Sequence, residues 1–296
     1  MEIDLDAFYF TRYSDYLQFE KHYSVHTVKA YLNDAETFLH HLIKEFEIKS
    51  INEVTHLHIK SWLANLIDKG SDPRSVRRNI SSLRNYYKYL LKHNILDVNP
   101  MIKIVSPKMA KKLPVFIEES RMEALFENEL PDGEENDLTN IVLLLLYHTG
   151  IRLSELTGLK SVDIDLMGNQ MKVLGKRNKE RIIPFGNELK DAIIEYRSKN
   201  YPNDTEFLLA TPKGNKLYPQ LVYKLVKRSL ESVTTLSKKS PHVLRHTFAT
   251  HLLNRGADLN AIKELLGHAG LAATQIYTQN SIEKLKNIHN LAHPKG

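Results

Sequence analysis

Residues 99–114 read NPMIKIVSPKMAKKLP, and neither a helix nor a strand runs through such a segment. Each proline removes a backbone donor and pushes the residue before it out of the helical region. The segment therefore divides the chain into residues 1–98 and residues 115–296, and a length of 296 residues with 42% hydrophobic side chains suits two cores rather than one. The connector carries four lysines and no acid, so it can run along a polyanion without repelling it, or it can serve as a plain hinge.

Apolar periodicity predicts helices over 4–20, 25–46, 56–68 and 73–93, a small amino-terminal bundle. In the last of these, Ser71 or Asp72 can cap the helix and Pro73 suits its first turn. Val76, Ile80, Leu83, Tyr87 and Leu90 then share one face, while Arg74, Arg77, Arg78, Arg84, Lys88 and Lys92 lie around the other. A basic stripe of this kind is either a solvated face or a track for duplex phosphates. The net charge of +6 favours an anionic partner. Beyond the connector the pattern predicts a helix at 118–129, a strongly apolar helix at 138–148 ended by Gly150, and a short helix after it. Strands follow at 170–174 and 181–185 around the turn GKRNKE, then helices from 187 onward. The expected fold class is mainly α with a small β-sheet. No repeat points to a solenoid.

The chain has no cysteine, which excludes a disulfide scaffold, a thiolate metal site and a cysteine nucleophile. Its first residues are acidic where a secretory signal needs a basic start, and the longest apolar run, Ile141 to Tyr147, is far short of the ~18 residues that cross a bilayer. A cytoplasmic protein without a membrane partner is expected.

Three stretches hold candidate chemistry. In SPHVLRH, Ser240 can cap a helix whose first residue is Pro241, so His242 and Arg245 share a face beside unpaired N–H groups, a geometry that suits a phosphate. His242 and His246 have zinc spacing, but Val243 stands where a metalloprotease helix needs Glu, so no metal site is expected. Arg152 sits in the tight junction between Gly150 and Ser154, where it can meet an anion or pair with Glu155 or Asp163. Leu266-Gly267-His268 is followed by Tyr277, a histidine and a tyrosine on an otherwise apolar stretch that by themselves suit a core.

Taken in order, TGIRLSEL, GKRNKER, HVLRHTFATHLL, LGHAGLAATQIY and the closing HPKG resemble the tyrosine recombinases of the phage integrase family, and most closely their Xer type. The likeness extends over the amino-terminal helices, which resemble the family's SAM-like core-binding bundle, and over the NP…PK…LP connector, so it spans nearly the whole chain. It implies a C-shaped clamp on DNA, with residues 1–98 the core-binding domain, 99–114 a basic linker and 115–296 the catalytic domain. It implies an active site of Arg152, Lys176, His242, Arg245, His268 and Tyr277, working without metal, nucleotide or other cofactor. Arg177 stands where such hairpins usually have glycine, so Lys172 and Lys179 stay open as substitutes for Lys176, and Ala269 and Gly270 replace the usual small hydroxyls. Duplex contacts are expected from Arg74, Arg77, Arg78, Arg84, Lys88, Lys108, Lys111 and Lys112.

By the same resemblance the chain would cut and rejoin duplex DNA through a 3′-phosphotyrosyl link and resolve chromosome dimers at cell division. It would work in a homo- or hetero-tetramer with a related recombinase, with a DNA translocase as a further possible partner. Ile282, Leu285, Ile288 and Leu291 are helically spaced, and the family implies that this tail docks into a neighbouring protomer rather than onto its own domain. A mobile-element integrase and a catalytically inactive DNA-binding or synapsis protein are the alternative readings. A relaxing type IB topoisomerase shares the chemistry but not the short-chain architecture.

Overall fold

The structure, a computed structural model, describes residues 5–108, 115–127, 133–175, 180–200, 206–211, 213–267, 288–289 and 291–294. The chain separates into two compact units, Met1–Lys112 and Leu113–Gly296.

The amino-terminal unit is helical throughout its described part. Helix α1 (Phe10–Asp15) widens into a π-helical turn at Tyr16–Glu20, and α2 (Val25–Phe46), α3 (His56–Asp68) and α4 (Pro73–Lys92) follow. Asp72 is the cap that starts α4: its carboxylate accepts the Ser75 N–H at 2.9 Å, and Pro73 takes the first helical position. All five expected core residues of α4 are buried against Phe38, Trp62 and their neighbours. The start of the connector does not stand free. A 3₁₀ turn at Pro100–Lys103 buries Met101 and Ile104 in this same core, and Arg84 donates to the Ile104 carbonyl at 2.9 Å.

In the carboxy-terminal unit, α5 (Glu119–Glu127) precedes α6 (Glu134–Thr149), whose run from Ile141 to Tyr147 is buried on every side. Helix α6 packs against α8 (Asn187–Asn200), α9 (Pro219–Val233) and α10 (Pro241–Asn254). Between α7 (Leu153–Leu156) and α8 lies an antiparallel meander of β1 (Ile164–Asp165), β2 (Gln170–Leu174) and β3 (Glu180–Pro184), with Met171 opposite Ile183 and Val173 opposite Arg181. The first strand was not expected from sequence. Nor were the single bridges Lys160 to Phe207 and Ala210 to Lys216, of which Phe207, Ala210 and Lys216 fall where only helix was predicted. Helix α11 (Leu259–Leu266) starts on Asp258, whose side chain accepts the Asn260 and Ala261 N–H groups. No described helix is long and apolar enough to cross a membrane.

Candidate active site

The site is assembled at two helix ends that only glycine can close. Helix α6 stops at Gly150 in the left-handed region, φ 58°, and a Cβ there would lie 2.5 Å from the Phe248 ring. The chain then turns through buried Ile151 into extended Arg152, which starts α7, and Glu155 reaches back to accept the Arg152 N–H at 2.8 Å. Helix α11 ends at Gly267, φ 63°, where a Cβ would lie 2.9 Å from Arg181 Cδ. Helix α10 follows Ser240, but the Ser240 side chain makes no capping bond, contrary to the sequence expectation; Pro241 alone marks the start.

Three arginines converge on the last carbonyls of α11, which have no partner within the helix. Arg245 Nη2 donates to Leu266 O at 2.6 Å, Arg152 Nη2 to Gly267 O at 2.7 Å, and Arg181 Nε to Leu265 O at 3.0 Å. Arg245 also donates to Gly150 O. Among the described residues, the one carboxylate paired with them is Glu155, nearly sealed from solvent. Its Oε1 accepts from Arg152 Nη1 at 2.8 Å and Arg181 Nη1 at 2.6 Å, and its Oε2 accepts from Arg181 Nη2 at 2.9 Å.

Burial alone would raise the Glu155 pKa, but hydrogen bonds and charge from Arg181, with those from Arg152, outweigh it and bring the carboxyl down to about 2. Burial, reinforced by the like charges of Arg152 and Arg181, brings Arg245 down to about 9. Arg245 therefore remains cationic near neutrality, though its charge is held at a cost that an arriving anion would relieve.

Of the residues expected to carry the chemistry, the structure brings Arg152 and Arg245 to the same helix end. His242 lies exposed in the first turn of α10, with no hydrogen-bond partner among the described residues, while Arg245 on the next turn is buried. Lys176, His268 and Tyr277 lie outside the described residues, as do Lys179, Lys111 and Lys112. Lys172, one substitute for Lys176, is paired with Glu180 at 3.5 Å.

On α4, Arg74, Arg77, Arg78, Arg84 and Lys88 are exposed, and so is Lys108 beyond it. Two of these are already engaged: Arg78 with buried Asp34 at 2.7 Å, and Arg84 with the connector. Of the four tail positions expected to dock into a neighbouring protomer, Ile282 and Leu285 lie outside the described residues, and Ile288 is partly buried against the chain's own core. Leu291 is 82% exposed, whereas His289, Ala292 and His293 are buried against the chain's own α6 and α10.

Sequence reasoning missed Arg181 as a site residue. The signal was present: Met171 and Val173 alternate with Lys172, and antiparallel register carries their inward face to Ile183 and Arg181, leaving a lone charge aimed at the core.

The phage integrase family matches residues 116–284, and its N-terminal SAM-like domain matches residues 10–94. The chain is 34% identical to the tyrosine recombinase XerC of Chlorobaculum tepidum, over 95% of this chain and 93% of that protein. It is 39% identical to the XerC of Listeria monocytogenes serotype 4a, over 96% and 97%. Among solved structures, the XerH recombinase in a post-cleavage complex with palindromic difH substrate superposes with a TM-score of 0.72 at 22% identity, covering 89% of this chain and 79% of that one. The chain belongs to the phage integrase family, the site-specific tyrosine recombinases that cut and rejoin DNA. Within that family it is of the Xer type, sharing more than a third of its residues with XerC proteins over nearly their full length.

Proposed function

We propose that this recombinase resolves chromosome dimers in the bacterial cytoplasm, through a covalent link between Tyr277 and the 3′-phosphate of the cut strand. The observation that carries the reading is the convergence of Arg152 and Arg245 on adjacent carbonyls at the end of α11, one residue before His268. Two fixed guanidiniums, each with planar donors, suit the non-bridging oxygens of a single phosphodiester.

In this mechanism the Tyr277 oxygen attacks phosphorus and the bond to the 5′-oxygen breaks. The phenol proton goes to His242, Lys176 gives a proton to the departing 5′-oxygen, which leaves as a hydroxyl, and His268 hydrogen-bonds the phosphate. A phenol with a pKa of about 10 is only ~0.1% ionised at neutral pH, a deficit of roughly 4 kcal/mol. The exposed His242 ring and the paired cations are suited to offset it. The ester stores the energy of the broken bond, so religation needs no nucleotide.

Arg74, Arg77, Lys88 and Lys108 are the residues we assign to duplex phosphates, and a tetramer of this chain, alone or with a related recombinase, to the synapse. A translocase could act on that assembly.

The test is a suicide duplex nicked beside the scissile phosphate, carrying the dimer-resolution site of the source chromosome. A protein–DNA adduct is expected with the unaltered chain, none with Tyr277→Phe, and none with Arg245→Ala at undiminished duplex affinity. Binding by the unaltered chain without any adduct would overturn the reading in favour of a binding or synapsis protein.

A further inference from the structure

We propose that Arg181 is a positioning residue for cleavage: it absorbs the negative charge of Glu155, so that Glu155 can aim Arg152 without neutralising it. The proposal rests on the cleavage chemistry given above.

Arg181 is 4% exposed on the inward face of β3, an uncommon position for a charge. It spends all three nitrogens. Two bind the oxygens of Glu155 in a fork, at 2.6 and 2.9 Å, and the third binds Leu265 O at 3.0 Å. Glu155 holds Arg152 at two points, the side chain through Oε1 and the backbone N–H through Oε2, both at 2.8 Å. Each carboxylate oxygen is therefore shared between one donor of Arg181 and one of Arg152.

Glu155 has two effects on Arg152. As an acceptor it fixes the guanidinium against the α11 terminus, which favours a phosphate site. As an anion at hydrogen-bond distance it competes with the phosphodiester for the same cation. Arg181 separates these effects, because its bidentate pairing balances the carboxylate charge while leaving the acceptor geometry in place. Its aliphatic stem also packs where a side chain at position 267 would stand, so the residue before His268 is held by the same group.

The experiment uses the full-length chain on the suicide duplex, with adduct formation measured per bound complex and duplex affinity measured separately. Arg181→Met should slow adduct formation on the order of 100-fold, the scale of a reacting group set out of place, while leaving affinity unchanged. Adding Glu155→Gln to Arg181→Met should restore at least a tenth of the lost rate, because glutamine keeps an acceptor for Arg152 and removes the charge that Arg181 balanced. A role confined to holding the fold does not produce that recovery at constant affinity.

The proposal is overturned if Arg181→Met cleaves at the unaltered rate, or if the double variant is as slow as or slower than the single one. Should Arg181→Met not fold, Arg181→Lys keeps the charge but not the fork; a partial loss of rate is expected, and an unaltered rate overturns the proposal. Absence of adduct with the unaltered chain would instead overturn the cleavage reading and this role with it.

Discussion

Replacing Gly150 with alanine tests whether the α6 terminus is as tightly constrained as the site requires. Two terms oppose the substitution. The backbone sits at φ 58°, which costs an L-residue about 1–2 kcal/mol. The new methyl would also lie 2.5 Å from Phe248 Cδ1 and 2.9 Å from Leu266 Cδ2. Phe248 is fully buried and Leu266 nearly so, so neither has open space to retreat into, and overpacking of this kind costs about 1–3 kcal/mol. The expected loss is about 2–5 kcal/mol, on the order of 5–15 °C in melting temperature for a unit of this size.

Gly256 supplies the control within the same unit: its φ is 87° and nothing lies within 4 Å of the Cβ it would gain, so Gly256→Ala should show the backbone term alone. Urea unfolding followed by far-ultraviolet circular dichroism compares the two variants. A greater loss at Gly150 is required, and because the Gly150 carbonyl holds Arg245, the same variant should form adduct more slowly per bound duplex. Equal destabilisation by the two substitutions would refute the packing argument.

Burial, with His289 and His148 beside it, depresses the His293 pKa well below 6.5, so the folded chain keeps the ring neutral while the unfolded chain takes up a proton as the pH falls past that value. Stability should be undiminished above about pH 6.5 and decline below it, and His293→Phe should flatten that decline in urea midpoints measured from about pH 7.5 to about pH 5.5. On α4, Arg77 has no ion partner among the described residues whereas Arg78 is held by Asp34. Arg77→Ala should therefore reduce the slope of log affinity against log salt by about 0.9, and Arg78→Ala should change the slope less while lowering the bundle's melting temperature. Fluorescence anisotropy across a salt series reads the first, thermal unfolding the second.

How much of this was legible in the sequence depends on which physical rule governs each residue. The α4 core face could be read because its five apolar side chains obey helical periodicity and its cap obeys turn chemistry, both local rules. Gly150 could be read as a terminus for the same reason. Met101 and Ile104 could not be assigned to a core, because prolines mark where regular structure ends, not where the chain packs. Strand β1 spans only Ile164–Asp165, too short for an alternation to register.

Within one chain, the tail buries histidines ahead of a leucine. Leu291 is left in solvent while His289 and His293 go inside, because each imidazole donates from Nε2 to a backbone carbonyl of α6, at 2.8 and 3.2 Å. A leucine gains from burial but cannot satisfy a carbonyl; a neutral histidine can do both.

The arginine cluster also bears on the direction of catalysis. Three guanidiniums face one carboxylate, and the α11 terminus adds roughly half a negative charge through its unpaired carbonyls. Among the described residues, the cluster is thus left with more than one uncompensated positive charge in a setting mostly closed to water. A phosphodiester brings one negative charge, and attack by a phenolate raises the charge on the reacting group toward two. A site matched to the diester alone would bind substrate tightly and gain nothing at the transition state, whereas a surplus of positive charge favours the more highly charged species. On this reasoning Glu155 has to be present to aim Arg152 and has to be electrically silenced, and a third arginine from a neighbouring strand meets both conditions at once.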